Sequence, residues 1–145
     1  MKIGLNIKSH GLSIDAHVKC PSMGCAGQVS FIVDTGSPRS LLSSEDGKRL
    51  GIETSGLNRS HVPIWGIGGS AIGWDLPEVI LFFDTDQGLE FFHKGDMIIY
   101  KNPVRRKKGR EITPPLVSLL GRDFLKDTEF KLIVNMRKDE AYLEK

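Results

Sequence analysis

Apolar and polar residues alternate with a period of two along much of the chain. Leu12, Ile14, Ala16 and Val18 share one side of such a run, which predicts a strand with one buried face. A shorter alternation over 3–7 predicts an edge strand. After a turn over 24–27, the run 28–33 predicts another strand, ending at Asp34. Residues 77–83 are almost continuously apolar, which predicts a strand buried on both faces. Segments 88–92 and 97–100 predict two more, and 130–135 with 141–143 a final hairpin.

Helical signals are few. Ser43-Ser44-Glu45-Asp46 supplies an N-cap and an acidic first turn, so a short helix runs to about Leu50 and stops at Gly51. A second short helix is predicted from Arg122 to Lys126. Between the helices, 62–65 and 71–74 flank Gly66-Ile67-Gly68-Gly69-Ser70 and predict a hairpin with a glycine-rich tip. The basic segment 101–110 reads as a solvated, mobile loop, and Pro114-Pro115 precede an apolar run over 116–120. These elements describe an all-β chain with one or two short helices, in one domain over 1–145.

Composition changes this picture little. The 145 residues are 39% hydrophobic and 26% charged, and the 16 glycines sit between short apolar runs, which favours strands and turns. A net charge of +2 gives little reason to invoke nucleic acid, and Arg105–Arg110 lacks the interleaved aromatics of a base-stacking surface. No segment reaches the ~18 apolar residues of a membrane span, and the N-terminus does not read as a secretory signal. The expectation is a soluble, cytoplasmic protein. Cys20 and Cys25 supply only two ligands of a C-x4-C pair, while a structural zinc site normally needs four. Reduced, loop-borne thiols come first, a local disulfide second and metal a distant third. The four histidines form no ligand spacing.

One stretch carries candidate chemistry. Val29-Ser30-Phe31-Ile32-Val33 delivers the Asp34 carboxylate to a strand end, where Thr35, Gly36 and Ser37 place hydroxyls and a bare backbone beside it. Alone, Asp-Thr-Gly-Ser is also what a plain strand-ending turn looks like. Two further elements change the weighting: the glycine-rich hairpin, and the apolar run ending Leu119-Leu120-Gly121-Arg122-Asp123-Phe124-Leu125.

In this order the three elements resemble the retropepsin-like aspartic proteases, over about Leu12 to Leu143. The resemblance implies a closed-barrel all-β fold and an aspartic endopeptidase without a cofactor, acting on a peptide or protein substrate. One chain carries one such carboxylate, so the implied dyad pairs Asp34 with Asp34 of a second copy in a homodimer. Thr35 would then hydrogen-bond across the dyad, Gly36 would keep the backbone close, and the Ser37 hydroxyl is expected to donate to Asp34. Trp65, Gly66, Ile67, Gly68 and Gly69 correspond to a flap closing over the substrate. Leu119, Leu120 and Gly121 correspond to the packing under the active-site loop, and Arg122 and Asp123 to the opening of the short helix. The chain departs from many viral members in offering Pro38, Arg39 and Ser40 where an acidic partner for Arg122 is usual; Asp123 or Glu45 are the candidates to replace it. The alternative is a non-catalytic dimerisation or peptide-binding module of the same fold.

Overall fold

The computed structural model describes residues 1–66, 69–102, 105–112 and 116–145. In chain order these form β1 (Lys2–Gly4), β2 (Asn6–Lys8), β3 (Gly11–Cys20), β4 (Cys25–Val33), β5 (Leu41–Ser43), α1 (Ser44–Leu50), β6 (Ile64–Gly66) and β7 (Gly69–Asp75). They continue with β8 (Val79–Thr85), β9 (Gly88–Lys94), β10 (Ile98–Lys101), β11 (Arg105–Lys107), β12 (Arg110–Ile112), β13 (Ser118–Leu120), α2 (Arg122–Thr128), β14 (Lys131–Asn135) and β15 (Glu140–Glu144).

The architecture is all-β, as the alternation predicts. Ten strands form one sheet in the order β6-β7-β10-β5-β13-β4-β3-β8-β9, with β2 added on β3; β1-β15-β14 form a second sheet, and β11-β12 a third. Among the described residues the sheets are not closed by hydrogen bonds into a barrel, which corrects the closed-barrel expectation. The long sheet ends, among the described residues, on β6 at one side and β9 at the other.

The predicted edge strand over 3–7 is split at Leu5, because its halves join different sheets. Lys2–Gly4 pairs with β15 and Asn6–Lys8 with β3, while the Leu5 amide donates to the Ala141 carbonyl at 2.9 Å. In β3, Ile14, Ala16 and Val18 are buried as their parity requires. β8 is buried on one face only: Val79, Leu81 and Phe83 point inward, while Ile80 and Phe82 are half-buried. An antiparallel strand needs only one covered face. Phe83, Phe92, Phe124 and Phe130 interlock beneath it at centroid distances of 5.5 to 6.3 Å, which anchors α2 to the sheet.

Helix α1 follows its sequence signals. The Ser43 hydroxyl accepts from the Asp46 amide at 3.1 Å, and Gly51 takes the left-handed conformation at φ 84°. The two cysteines are not on a loop. They face each other across the β3–β4 pair around a short 3₁₀ turn, both as free thiols, and burial, then the neighbouring Cys25, pushes the Cys20 thiol up to about 11.

The largest local departure is the basic segment. Arg105–Lys107 and Arg110–Ile112 form an antiparallel hairpin rather than an irregular loop. Its two turn residues, Lys108 and Gly109, both have positive φ, at 51° and 74°, as a type I′ turn requires.

Candidate active site

The fold brings the end of β4 against the end of β13. These strands run parallel, with Leu119 beside Ile32 and Leu120 beside Val33. The Asp34 amide continues this ladder by donating to the Leu120 carbonyl at 2.9 Å. The carboxylate therefore leaves a strand whose position is set by its neighbour, not by a free loop.

Beyond Asp34 the chain turns tightly. The Gly36 amide donates to Asp34 Oδ1 at 2.9 Å and the Ser37 amide to the Asp34 carbonyl at 3.1 Å. A Cβ on Gly36 would sit 3.0 Å from that same carboxylate oxygen, so the absent side chain is what lets the amide approach. The Ser37 hydroxyl does not donate to Asp34. The turn through Pro38 brings the Arg39 carbonyl within 2.7 Å, and the hydroxyl donates there instead. Thr35 is exposed, and its hydroxyl makes no hydrogen bond within the chain among the described residues.

The loop is pinned from below by the second motif. The Arg122 amide donates to the Ser37 carbonyl at 2.9 Å, and the Gly121 amide to Ser40 Oγ at 3.0 Å. A Cβ on Gly121 would lie 2.5 Å from the Arg39 carbonyl oxygen and 2.8 Å from that of Ser37. Only glycine fits between the two backbones.

Arg122 finds neither Asp123 nor Glu45. Its guanidinium donates to the Thr35 carbonyl at 3.3 Å, and no ion pair to it forms among the described residues. Asp123 turns to Ser40, accepting from its amide at 3.0 Å and its hydroxyl at 2.7 Å. Ser40 thus occupies the place where an acidic residue was missing, and it serves Asp123 rather than Arg122.

Behind Asp123 lies a group that pattern reading overlooked. Lys94 is 2% exposed and pairs with Asp123 at 3.0 Å, with Asp127 at 2.9 Å and with Asp96. Burial works against the lysine charge, but the hydrogen bonds of Asp96, Asp127 and Asp123 outweigh it and hold the group above its ordinary range. For Asp123, burial again opposes ionisation, while the Ser40 amide, the Ser40 hydroxyl and Lys94 hold the carboxyl below the usual aspartate range. Arg39 joins the same network through Asp96 at 2.9 Å. The available signal was parity: Lys94 falls on the inward side of β9 with Phe92.

Asp34 lies where two clefts meet. One, of about 660 Å³, is walled by Asp34, Ser37, Leu41, Ile64, Trp65 and Leu119, with Pro63 and Val117 at its margins. The other, of about 450 Å³, is lined by His10, Ile32, Asp34, Val117 and Leu119. Among the described residues Asp34 is the sole carboxylate on either wall. Leu119 faces both clefts, while Leu120 is fully buried. Trp65 stands at the mouth of the larger cleft and is 75% exposed.

Trp65 and Gly66 belong to the predicted hairpin, whose register pairs Ile64 with Ala71, Trp65 with Ser70 and Gly66 with Gly69. Ile67 and Gly68 lie outside the described residues. Trp74, at the other end of β7, packs on the core with the Arg59 guanidinium 5.4 Å from its ring. Among the described residues no group of three or more His, Cys, Asp or Glu is arranged to hold a metal ion.

No family model matches the sequence, and no curated protein matches it. Solved structures do. The chain is similar to a retropepsin-like aspartic protease from Rickettsia conorii, at 20% identity and a TM-score of 0.57, over 99% of this chain and 88% of that one. It is also similar to EIAV protease, solved in complex with the inhibitor HBY-793, at 20% identity and a TM-score of 0.45, over 74% of this chain and 83% of that one. The chain has a retropepsin-like fold.

Proposed function

We propose that the protein is an aspartic endopeptidase whose active site forms between two copies of the chain. One observation carries the reading: Asp34 is the sole carboxylate among the described cleft walls, on a strand end locked by the Leu120 carbonyl. A single carboxylate can take a proton from water but cannot also hold one ready for the substrate. Two such groups close together share one proton, because like charges at short range disfavour double ionisation. The ionised Asp34 takes a proton from the attacking water. The protonated one donates to the carbonyl oxygen, and the amide nitrogen receives a proton as the tetrahedral intermediate breaks down.

Two further features support a two-fold partner. The Thr35 hydroxyl is left without a partner within the described chain, at the place where it can bond across the dyad. The larger cleft is open and apolar, with Leu41, Pro63, Ile64, Trp65, Val117 and Leu119 suited to the side chains of an extended peptide. Trp65 and the β6–β7 hairpin serve as the flap that covers it and keeps out bulk water. The roof is then contributed twice, once by each copy.

The test is cleavage of a peptide library from about pH 3 to about pH 8, with Asp34→Asn as control. The wild-type chain cuts and sediments as a dimer at micromolar concentration; Asp34→Asn stays folded and does not cut. Cleavage surviving that substitution, or activity in a strict monomer, overturns the dyad. A folded dimer that binds peptides but cuts none at any pH is the non-catalytic module instead.

A further inference from the structure

The β11–β12 hairpin is the part of the molecule that the proposed chemistry leaves unused. Five of the six residues from Arg105 to Arg110 are cationic. Among the described residues the hairpin joins no other strand, and a lone two-stranded ribbon is marginal in water. Its register sets Arg106 opposite Glu111, an opposite-charge pair, but at the turn end places Lys107 directly opposite Arg110, where like charges disfavour pairing. Lys108 adds a third cation at the turn. All three side chains are exposed, and none forms an ion pair among the described residues. The type I′ turn thus concentrates unneutralised positive charge at one tip.

The hairpin is also tethered at the cleft. It leaves β10 at Lys101, which pairs with Ile72 of the flap's return strand, and it re-enters the fold at Val117 on the cleft wall. Tyr100 Oη donates to the Val117 carbonyl at 2.6 Å and ties entry to exit. At about 3.5 Å per extended residue, Ile112 stands no more than roughly 18 Å from Val117. An extended peptide covers that distance in about five residues. Among the described residues the cleft wall itself has one cation, Arg39, and it is already paired with Asp96.

We propose that the β11–β12 hairpin is a substrate-selecting rim that recognises acidic residues flanking the apolar segment held in the cleft. This rests on the peptidase reading and names its substrate class. In a two-fold dimer each end of the cleft has one hairpin, so acidic residues are favoured on both sides of the scissile bond. Such exposed pairs act chiefly through charge complementarity and weaken with salt.

The experiment uses two fluorescent peptides with the same apolar centre, one flanked by Asp and Glu and the other by Asn and Gln. The variant Lys107→Gln/Lys108→Asn/Arg110→Gln removes the tip charge, and Asn-Gly retains the turn's preferred chemistry. In wild type the acidic peptide has a kcat/KM about tenfold above the neutral one at low ionic strength, falling several-fold near 0.5 M salt. In the variant the ratio drops to about one. Equal ratios in wild type, or a preference the variant retains, overturn the proposal. Anisotropy on the Asp34→Asn protein measures binding of the same peptides without cleavage. If nothing is cut but the acidic peptide binds tighter and loses that advantage in the hairpin variant, the peptidase reading fails and the rim stands. If a single-stranded oligonucleotide outcompetes both peptides through the same three residues, the rim serves nucleic acid and the proposal falls.

Discussion

The floor and the roof of the larger cleft are built on opposite terms. The floor, from Asp34 to Ser40, is hydrogen-bonded by β13, by the start of α2 and by Asp123, which is itself held by buried Lys94. Among the described residues the roof is tied to the body only at its base, where β7 pairs with β10 and its far end bonds Asn58 and Ser60, while β6 is the edge of the sheet and Trp65 stands in solvent. Chemistry that needs a carboxylate fixed to a fraction of an ångström gains from the first arrangement. Admission of a long peptide needs the second, since covering elements come from the weakly held end of a structure. On the peptidase reading, that division of labour would follow which backbone groups are tied down.

The contrast breaks most severely at Lys94. Lys94→Met leaves Asp123 buried with no cation and costs about 3 kcal/mol, read from the urea midpoint. The sign of the pH effect follows from the two shifts. Asp123 is held low, so its contribution is present above the ordinary aspartate range and is lost as pH falls through its folded value. Lys94 is held high, so its contribution is present below the ordinary lysine range and is lost as pH rises through its folded value. Lys94→Met flattens that alkaline limb. An unchanged midpoint at neutral pH would mean the floor does not depend on this network.

Next in size is Gly121→Ala. Its Cβ meets backbone on both near sides, which cannot swing away as a flexible side chain would. The floor must shift, at a cost of about 2 kcal/mol. Cleavage should fall as well, because the displaced backbone is that of Ser37 and Arg39. A thermal midpoint within error of wild type would show that α2 and the loop can slide apart freely, contrary to the hydrogen bonds between them.

Much of the floor was legible in the sequence because its signals are local. Asp34 and Gly36 share one short turn, and the Ser43 cap and Gly51 stop need only adjacent residues, whereas Gly121, pressed between the distant Ser37 and Arg39 backbones, was picked out through the resemblance. What escaped depends on distant partners. The Ser37 hydroxyl was expected on Asp34, but the turn through Pro38 brings the Arg39 carbonyl to it instead. Lys94 is held by Asp96 nearby, but its burial depends on Asp123 and Asp127 far along the chain. The strand over 77–83 looked doubly buried because composition does not say which face a sheet leaves to solvent. In the basic segment, charge suggested a loop, while Gly109 offered one of the two positive-φ positions that a tight hairpin turn needs.

The smallest effect on stability belongs to the roof. Trp65 is 75% exposed, so Trp65→Ala removes little buried area and changes the unfolding free energy by less than about 0.5 kcal/mol. On the peptidase reading its effect on function runs the other way, since the indole borders the cleft. KM for a peptide with an apolar centre should rise several-fold while the protein melts where wild type does. This pairing of a silent melting curve with a weakened substrate interaction is the mirror image of Gly121→Ala, whose loss of activity follows loss of structure. A melting point lowered as far as by Gly121→Ala would make the roof a structural element like the floor, and the distinction between fixed chemistry and movable cover would collapse.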